Sequence, residues 1–448
     1  MNYSIIKKSR LEGALRLDAE YYQPEYLELV DKIKKIRYEK LGNLCLKITD
    51  GSHITPEYQE SGIPFLMVRD VSEQQINFDN DVSFITKKMD KKLKCCKPIS
   101  GDILFTKVGS VGVSAVVPPD APSFNIFVSV AALKECKGVD KYFLSTFLNS
   151  KFGRFQAVRS AKGISQPDLH LEDIREFLVP LFSQNQQQGV SKLVVEATNL
   201  FENSKLLYQQ AKNLLLDELG LKDFKEDDED LFSVVNLSDV KTANRIDAEY
   251  FQPKCGRLIL KIKKQNVKLL SSVIENVPAK FDAAAQPDKN FKYVELADIN
   301  ASVGTIDGFS EVLGKEAPNR AKRVLKLGDV IVSSVEGSLG KVALVDKEQE
   351  GYLASTGFFQ FRSKEILPEV LLVLARSLVF QMQLEKMCAG TILTAVPKEA
   401  VNNVVVPVLP KPIQQKIADL VRVSHSARKK AKELLEEAKR KVEEMIEK

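Results

Sequence analysis

The sequence predicts an α+β fold: two similar strand-rich globules joined by two long helices that pair as an antiparallel coiled coil. Three observations predict it. The chain repeats itself once, each copy is dense in short β-type runs, and each copy ends in a long heptad stripe.

The repeat shows first in Arg16–Pro24, RLDAEYYQP, and Arg245–Pro253, RIDAEYFQP, which share seven of nine residues. Each opens a helical run, EYLELVDKIKK and KCGRLILKIKK. Further on, SGDILFTKVGSVGVSAVV (Ser100–Val117) answers LGDVIVSSVEGSLGKVALV (Leu327–Val345), and REFLVPL (Arg175–Leu181) answers NNVVVPV (Asn402–Val408). The offset stays between 227 and 229 residues, so the chain is a tandem duplication with small insertions and deletions. That period is too long for a solenoid, and a chain of 448 residues exceeds one ordinary core. Two similar domains follow.

Within the first copy IPFLMVRDV, DVSFIT, DILFTKV, GVSAVV and NIFVSVAAL are broken by Gly, Pro and Asp at short intervals, which reads as a strand-rich globule. Helices are expected over Val139–Arg159 and Leu367–Met387, and tight turns at GSVG and GSLG.

The stripes close each copy. Val190, Ala197, Ser204 and Ala211 lie seven apart; Leu193, Leu200, Leu207 and Leu214 form a second column, and Val194, Phe201, Tyr208 and Leu215 a third. The C-terminus repeats the plan with Ile417, Ser424, Ala431 and Ala438, then Leu420, Ala427 and Leu434, then Val421, Leu435 and Val442, with Arg428 interrupting the third column. Small residues in one column let two backbones approach, and four heptads make a rod of roughly 45–50 Å. The expected core of the pair is Leu193, Ala197, Leu200, Ser204, Leu207, Ala211, Leu214, Leu420, Ser424, Ala427, Ala431, Leu434 and Ala438. The expected organisation is a globule over residues 1–182, a helix over 183–222, a second globule over 223–410 and a second helix over 411–448.

Composition bounds the function. The chain is 44% hydrophobic and 28% charged, with no run of about 20 apolar residues that would span a membrane and no signal peptide in MNYSIIKKSR; a cytoplasmic protein is expected. Its six cysteines form no CxxC pair and are expected to be buried thiols. A net charge of +5 permits a nucleic-acid partner, with basic runs at Lys87–Lys97 and Asn319–Lys326 and an acidic one at Lys225–Asp230, expected to face away from DNA. Two like globules at the ends of a rod suit a target with two half-sites, as DNA sites often have.

Catalytic signatures are missing. No GxxxxGK[ST] loop occurs, and no GxGxxG follows a strand. VPPD (Val117–Asp120) lacks the polar residue that precedes the prolines in amino-methyltransferases. His53, in DGSHITPEY with Asp50 and Ser52, could mimic an acid–base set, but the second copy has no histidine there; a structural role is the better reading. No catalytic, cofactor-binding or metal-binding residues are expected, and the chain reads as a non-enzyme.

TDGSHITPEY, PFLMVRDV, ISGDILFTKVGSVG, KGISQPDLHLEDIREFLVPL and the glutamine-rich openings of the long helices, FLVPLFSQNQQQ and VVVPVLPKPIQQK, carry a resemblance. Over residues 10–448 the chain resembles the specificity (S) subunit of Type I restriction–modification systems. The resemblance implies that the globules are target recognition domains, each reading one half of a bipartite, asymmetric double-stranded DNA target. It implies two helices held as an antiparallel coiled coil that sets the spacer. It also implies a non-catalytic subunit that recruits two modification (M) subunits, which bring S-adenosylmethionine for adenine methylation, and restriction (R) subunits, which bring ATP and Mg2+ for cleavage. The second copy departs from the pattern with ENVPAKFD and AGTILTAV in place of the Asp-Gly-x-His turn and KGISQPDL. Rival readings are a specificity subunit of another multi-subunit restriction class, a methyltransferase fused to its reader, and a paired-domain scaffold that does not bind DNA.

Phosphates are met by Lys and Arg, base edges by loop side chains. Candidate DNA contacts in the first copy are Arg69, Lys87, Lys88, Lys91, Lys107, Ser110, Arg159 and Lys162, with Gln166 a lesser one. Those in the second are Lys292, Asn319, Arg320, Lys322, Arg323, Ser334, Ser338 and Lys341.

Overall fold

The computed structural model describes residues 5–6, 16–78, 82–94, 96–163, 165–224, 234–390 and 394–448; the acidic run Lys225–Asp230 lies outside them. The chain mixes helices and strands and divides into two compact units, Met1–Phe201 with Lys429–Lys448, and Glu202–Arg428.

In the first unit the strands are β1 (Tyr38–Lys40), β2 (Cys45–Asp50), β3 (Ile63–Leu66), β4 (Val71–Ser72), β5 (Gln75–Ile76), β6 (Ser83–Ile85), β7 (Ile103–Thr106), β8 (Ser114–Val116), β9 (Asn125–Ile126), β10 (Val130–Cys136) and β11 (Leu178–Pro180). An antiparallel sheet has the order β2-β10-β7-β8, a smaller one the order β6-β3-β9 with β3 and β9 parallel, and β4–β5 and β1–β11 pair separately.

The second unit repeats this plan with β12 (Val267–Leu269), β13 (Ile274–Asn276), β14 (Asn290–Val294), β15 (Ile299–Asn300), β16 (Thr305–Ile306), β17 (Ser310–Leu313), β18 (Ala321–Val324), β19 (Val330–Ser333), β20 (Val342–Leu344), β21 (Leu353–Ser355), β22 (Phe358–Ser363) and β23 (Val405–Pro407). The order β13-β22-β19-β20 matches the first large sheet. In β17-β14-β21-β18 the pair β14–β21 is again parallel, and β18 is an added strand carrying part of the basic run.

The repeated Gly-Asp has a structural cause. Gly101 and Gly328 adopt φ of 88° and 83°, open to glycine at little cost. The aspartate behind each is buried and accepts from the backbone N–H three residues earlier, Ile99 or Lys326. Each also binds a cation from the neighbouring strand of the sheet, Lys134 of β10 at 2.8 Å and Arg362 of β22 at 3.0 Å. Buried charge is thereby paired and hydrogen-bonded on several sides, the condition under which it is tolerated.

Each helix expected as one is two. Lys141–Asn149 and Lys151–Ser160 are broken at Ser150, whose ψ is 167°; Pro368–Ala375 and Leu378–Met387 are broken at Ser377, whose ψ is 159°. The second helix of the first pair folds close because Gly153 has no side chain: a Cβ there would lie 2.4 Å from the Phe147 carbonyl oxygen. Cys45 and Cys136, opposite one another in the β2–β10 register, form a disulfide where thiols were expected; Cys255 and Cys388 are buried thiols.

The long helices run over Gln184–Glu218 and Lys411–Glu447. In the first unit Val190, Val194, Ala197 and Phe201 share a core with Ala431, Leu435, Ala438 and Val442. In the second, Tyr208, Ala211 and Leu215 share one with Ile417 and Val421, and the Ser204 and Ser424 hydroxyls lie 3.1 Å apart. The buried positions thus alternate by four and three residues along both helices, the first and third columns of the sequence pattern. Ala197, Ser204, Ala211, Ser424, Ala427, Ala431, Leu434 and Ala438 are buried, whereas Leu193, Leu200, Leu207, Leu214 and Leu420 lie at the flank, partly buried. Among the described residues no helix is long and apolar enough to cross a membrane.

Candidate nucleic-acid interface

Three loops meet at one end of the first unit's large sheet. The turn after β2 is compressed: a Cβ at Gly51 would lie 1.9 Å from the Ile126 carbonyl oxygen, so only glycine fits. Ser52 N–H donates to that oxygen at 3.0 Å, and the Ser52 hydroxyl donates to the Ile54 carbonyl at 2.7 Å. The loop after β7 is bridged to the third loop through Val108 and Asp168, and Gly109 N–H donates to the Pro167 carbonyl at 2.9 Å. Lys107 is buried at this junction, its ammonium 3.6 Å from Asp50 and 3.4 Å from Asp168. His53 stands outside, 72% exposed, with Nε2 3.3 Å from Asp50. Ser52 faces a backbone carbonyl, so Asp50, Ser52 and His53 do not line up as a nucleophile and its base.

The second unit builds the same frame from other side chains. Val335 and Ala389 each bridge to Ala395, as Val108 and Lys162 do to Asp168. Ser334 stands where Lys107 does and donates to the Gly357 carbonyl at 2.9 Å; Ser338 faces Ser333 at 3.0 Å. The ionic junction of the first unit is replaced by hydroxyls and methyl groups.

The other candidates divide by burial. Lys87, Lys88 and Lys91 lie exposed on the helix Lys87–Lys92, whose start is capped by Thr86; Asp90 of that helix binds Lys97 and Asn125 instead. Arg69 is exposed and donates to Ser83 at 3.1 Å, Ser110 is exposed at the turn, and Lys162 pairs with Asp173 at 3.0 Å. Arg159 is buried: it donates to the Tyr21 carbonyl at 2.7 Å and lies 3.9 Å over that ring.

In the second unit Lys292 lies over Phe309 and Tyr352, at 4.6 and 5.1 Å. Asn319 and Arg320 are exposed just before β18, and Lys322 is exposed on it. Arg323 points inward, donates to the Val277 carbonyl at 2.6 Å, and burial pushes its pKa down to about 10. Lys341 donates to the Ile299 carbonyl at 3.2 Å. The exposed cations are therefore Arg69, Lys87, Lys88 and Lys91 in one unit and Lys292, Arg320 and Lys322 in the other, while Lys107, Arg159 and Arg323 hold the fold.

Two structural devices escaped the sequence reading. The first is the purpose of the repeated nonapeptide. Arg16 forks onto Asp18 at 2.9 Å, lies 4.7 Å over Tyr21 and donates to the Ser160 carbonyl at 2.8 Å. Arg245 forks onto Asp247 at 2.8 Å, lies 4.7 Å over Tyr250 and donates to the Cys388 carbonyl at 2.9 Å. Each arginine thus caps the C-terminal end of a helix far along the chain, Lys151–Ser160 or Leu378–Met387, where orphan carbonyls and the helix dipole favour a cation. The bond from Arg16 lowers the pKa of Asp18, and that from Arg245 lowers that of Asp247.

The second is a polar tie between each unit's small hairpin and a long helix. Lys439 pairs with Glu73 at 2.8 Å in the first unit. In the second, Arg428 pairs with Asp307 at 2.8 Å, and His425 Nε2 lies 2.9 Å from the Val303 carbonyl. Arg428 breaks the apolar column because this ion pair needs it. Burial lowers the pKa of His425. Among the described residues no group of three or more His, Cys, Asp or Glu could hold a metal ion.

No protein-family model matches the chain. It is similar to the Type I restriction enzyme EcoBI specificity subunit of Escherichia coli, 29% identical over 157 residues, which are 35% of this chain and 32% of that protein. It is also similar to the Type I restriction enzyme HindI specificity subunit of Haemophilus influenzae, 27% identical over 158 residues, 34% of this chain and 33% of that one. The chain spans about a third of the length of these curated relatives. Among solved structures it aligns with the S subunit of a Type I restriction–modification system from M. genitalium at 14% identity and a TM-score of 0.41, over 92% of this chain and 94% of that one. It aligns with the HsdS subunit from Thermoanaerobacter tengcongensis at 14% identity and a TM-score of 0.28, over 91% and 95%.

Proposed function

We propose that the chain, related in sequence to Type I restriction enzyme specificity subunits, is itself such a subunit: the non-catalytic reader of a bipartite DNA target. Residues 1–182 and 223–410 are its target recognition domains, each reading one half-sequence. Residues 183–222 and 411–448 form an antiparallel coiled coil that sets the spacer. That pairing is supported by Gly189, early in one helix, lying near Lys441, late in the other, and by Ser204 facing Ser424. Two modification subunits supply S-adenosylmethionine and methylate adenine; restriction subunits supply ATP and Mg2+ for cleavage.

The observation that carries the reading is the common loop frame with unlike chemistry. Lys107 between Asp50 and Asp168 in one unit corresponds to Ser334 and Ala395 in the other, on strands of the same order. Two readers of two different half-sequences need the same platform and differently built loops on it, and these buried junctions support the loops differently in the two units.

The exposed cations test the DNA-facing side. Replacing Lys87, Lys88 and Lys91 with Ala is expected to weaken binding to all sequences alike and to flatten the dependence of log K on log salt by up to about 3. Binding isotherms at several salt concentrations read both. An unchanged slope removes that helix from the interface.

A further inference from the structure

The two copies of the nonapeptide match in exposure as well as in sequence. Arg, Asp and the first aromatic are used by the cap on the distant helix Lys151–Ser160 or Leu378–Met387, and Pro24 and Pro253 start the next helix. None of this accounts for the second residue. Leu17 is 81% exposed and Ile246 is 87% exposed, flanked in both copies by an exposed Ala and an exposed Glu, Ala19 and Glu20 or Ala248 and Glu249. A single exposed aliphatic residue is ordinary. Here a large aliphatic residue stands exposed at the same place twice, in halves whose DNA-reading loops have diverged.

We propose that Leu17 and Ile246 are equivalent docking knobs, each entering an apolar socket on one of two copies of the same protein, with a cation at the socket's rim meeting Glu20 or Glu249. Two like knobs require two like sockets. The acidic flank opposes DNA, whose phosphates would face Glu20 and Glu249. Docking on further copies of this chain would be heterologous and, with two knobs per chain, would propagate into open assemblies. The arginine cap holds each knob in place before binding, which lowers the ordering cost on association. The inference rests on the functional reading above, under which the two-copy partner is the modification subunit, and it adds a contact outside the long helices.

The test is co-expression with the modification subunit and native mass spectrometry across a dilution series. The wild-type chain is expected to hold two copies. Leu17→Glu and Ile246→Glu are each expected to weaken one copy at least about tenfold and leave the other unchanged, and the double variant to weaken both. Leu17→Ile and Ile246→Leu, which exchange the two natural residues, are expected to bind as wild type. All variants should unfold at the wild-type temperature, because neither side chain is in a core. Two tightly held copies in the double variant overturn the inference. So does a loss of DNA affinity, or of self-association, by the Leu17→Glu chain alone, since either gives the patch another occupant. A wild-type chain that binds no modification subunit contradicts the functional reading itself, a result visible before any variant is made.

Discussion

At the scale of single residues, the most informative groups are those whose surroundings leave them no alternative. Arg245 answers to a carboxylate, an aromatic face and the carbonyls that end a helix, and Arg16 does the same in the first unit. Arg245→Ala is expected to cost about 1–3 kcal/mol, read as a lower denaturant midpoint at neutral pH, because it removes charge-assisted bonds and orphans the helix end. His425 gives a pH signature. Its pKa lies below the ordinary 6.5 when folded, so the unfolded chain takes up the proton first, and stability falls as pH drops through about 6.5 until the folded pKa is reached. Arg376 and Arg428 oppose the protonated ring, and Asp346 favours it without prevailing. Denaturation midpoints at pH 7.5 and 5.5 should differ in the wild type, and His425→Gln should reduce that difference; equal slopes in both proteins would rule His425 out. The sequence displays the repeated Arg-x-Asp-x-x-aromatic pattern plainly. Its targets are not legible there, because the carbonyls it caps lie 143 or 144 residues away. The three interior cations were hidden for the same reason: Lys107, Arg159 and Arg323 look like any surface Lys or Arg until the fold places Asp50, Tyr21 and Val277 beside them.

At the scale of elements, heptad spacing reveals the long helices but not which columns face inward. Three adjacent apolar columns make a stripe wider than one seam, so the choice falls to the sheets packed alongside. The buried pattern makes the distinction testable. Ala211→Leu and Ala438→Leu, at fully buried positions, should each destabilise by about 1–3 kcal/mol through overpacking. Leu207→Ala, at the flank, should cost less than Leu215→Ala, for which about 2–5 kcal/mol is expected. Thermal melts of the four variants decide it; equal losses for Leu207 and Leu215 would mean the seam is drawn on the wrong face. Ser150 and Ser377, each the N-cap of its pair's second helix, are the local signals of the split, while the close approach that needs Gly153 in the first pair is not legible in sequence. Strand pairing was equally out of reach. Cys45 and Cys136 are 91 residues apart, and only the β2–β10 register joins them.

At the scale of the whole molecule, duplication carries the account. A chain that builds the same strand order twice, keeps the same loop bridges at corresponding positions and changes the side chains those bridges hold has divided one task into two related ones. Under the proposed function, that is the logic of a split DNA target. The most direct measurement is adenine methylation mapped across genomic DNA in cells co-expressing this chain with the proposed modification subunit, compared with cells lacking the chain. The account predicts methylation at a motif of two unlike half-sequences separated by a fixed gap, lost when the chain is omitted. An unchanged methylation pattern despite a formed complex would contradict it.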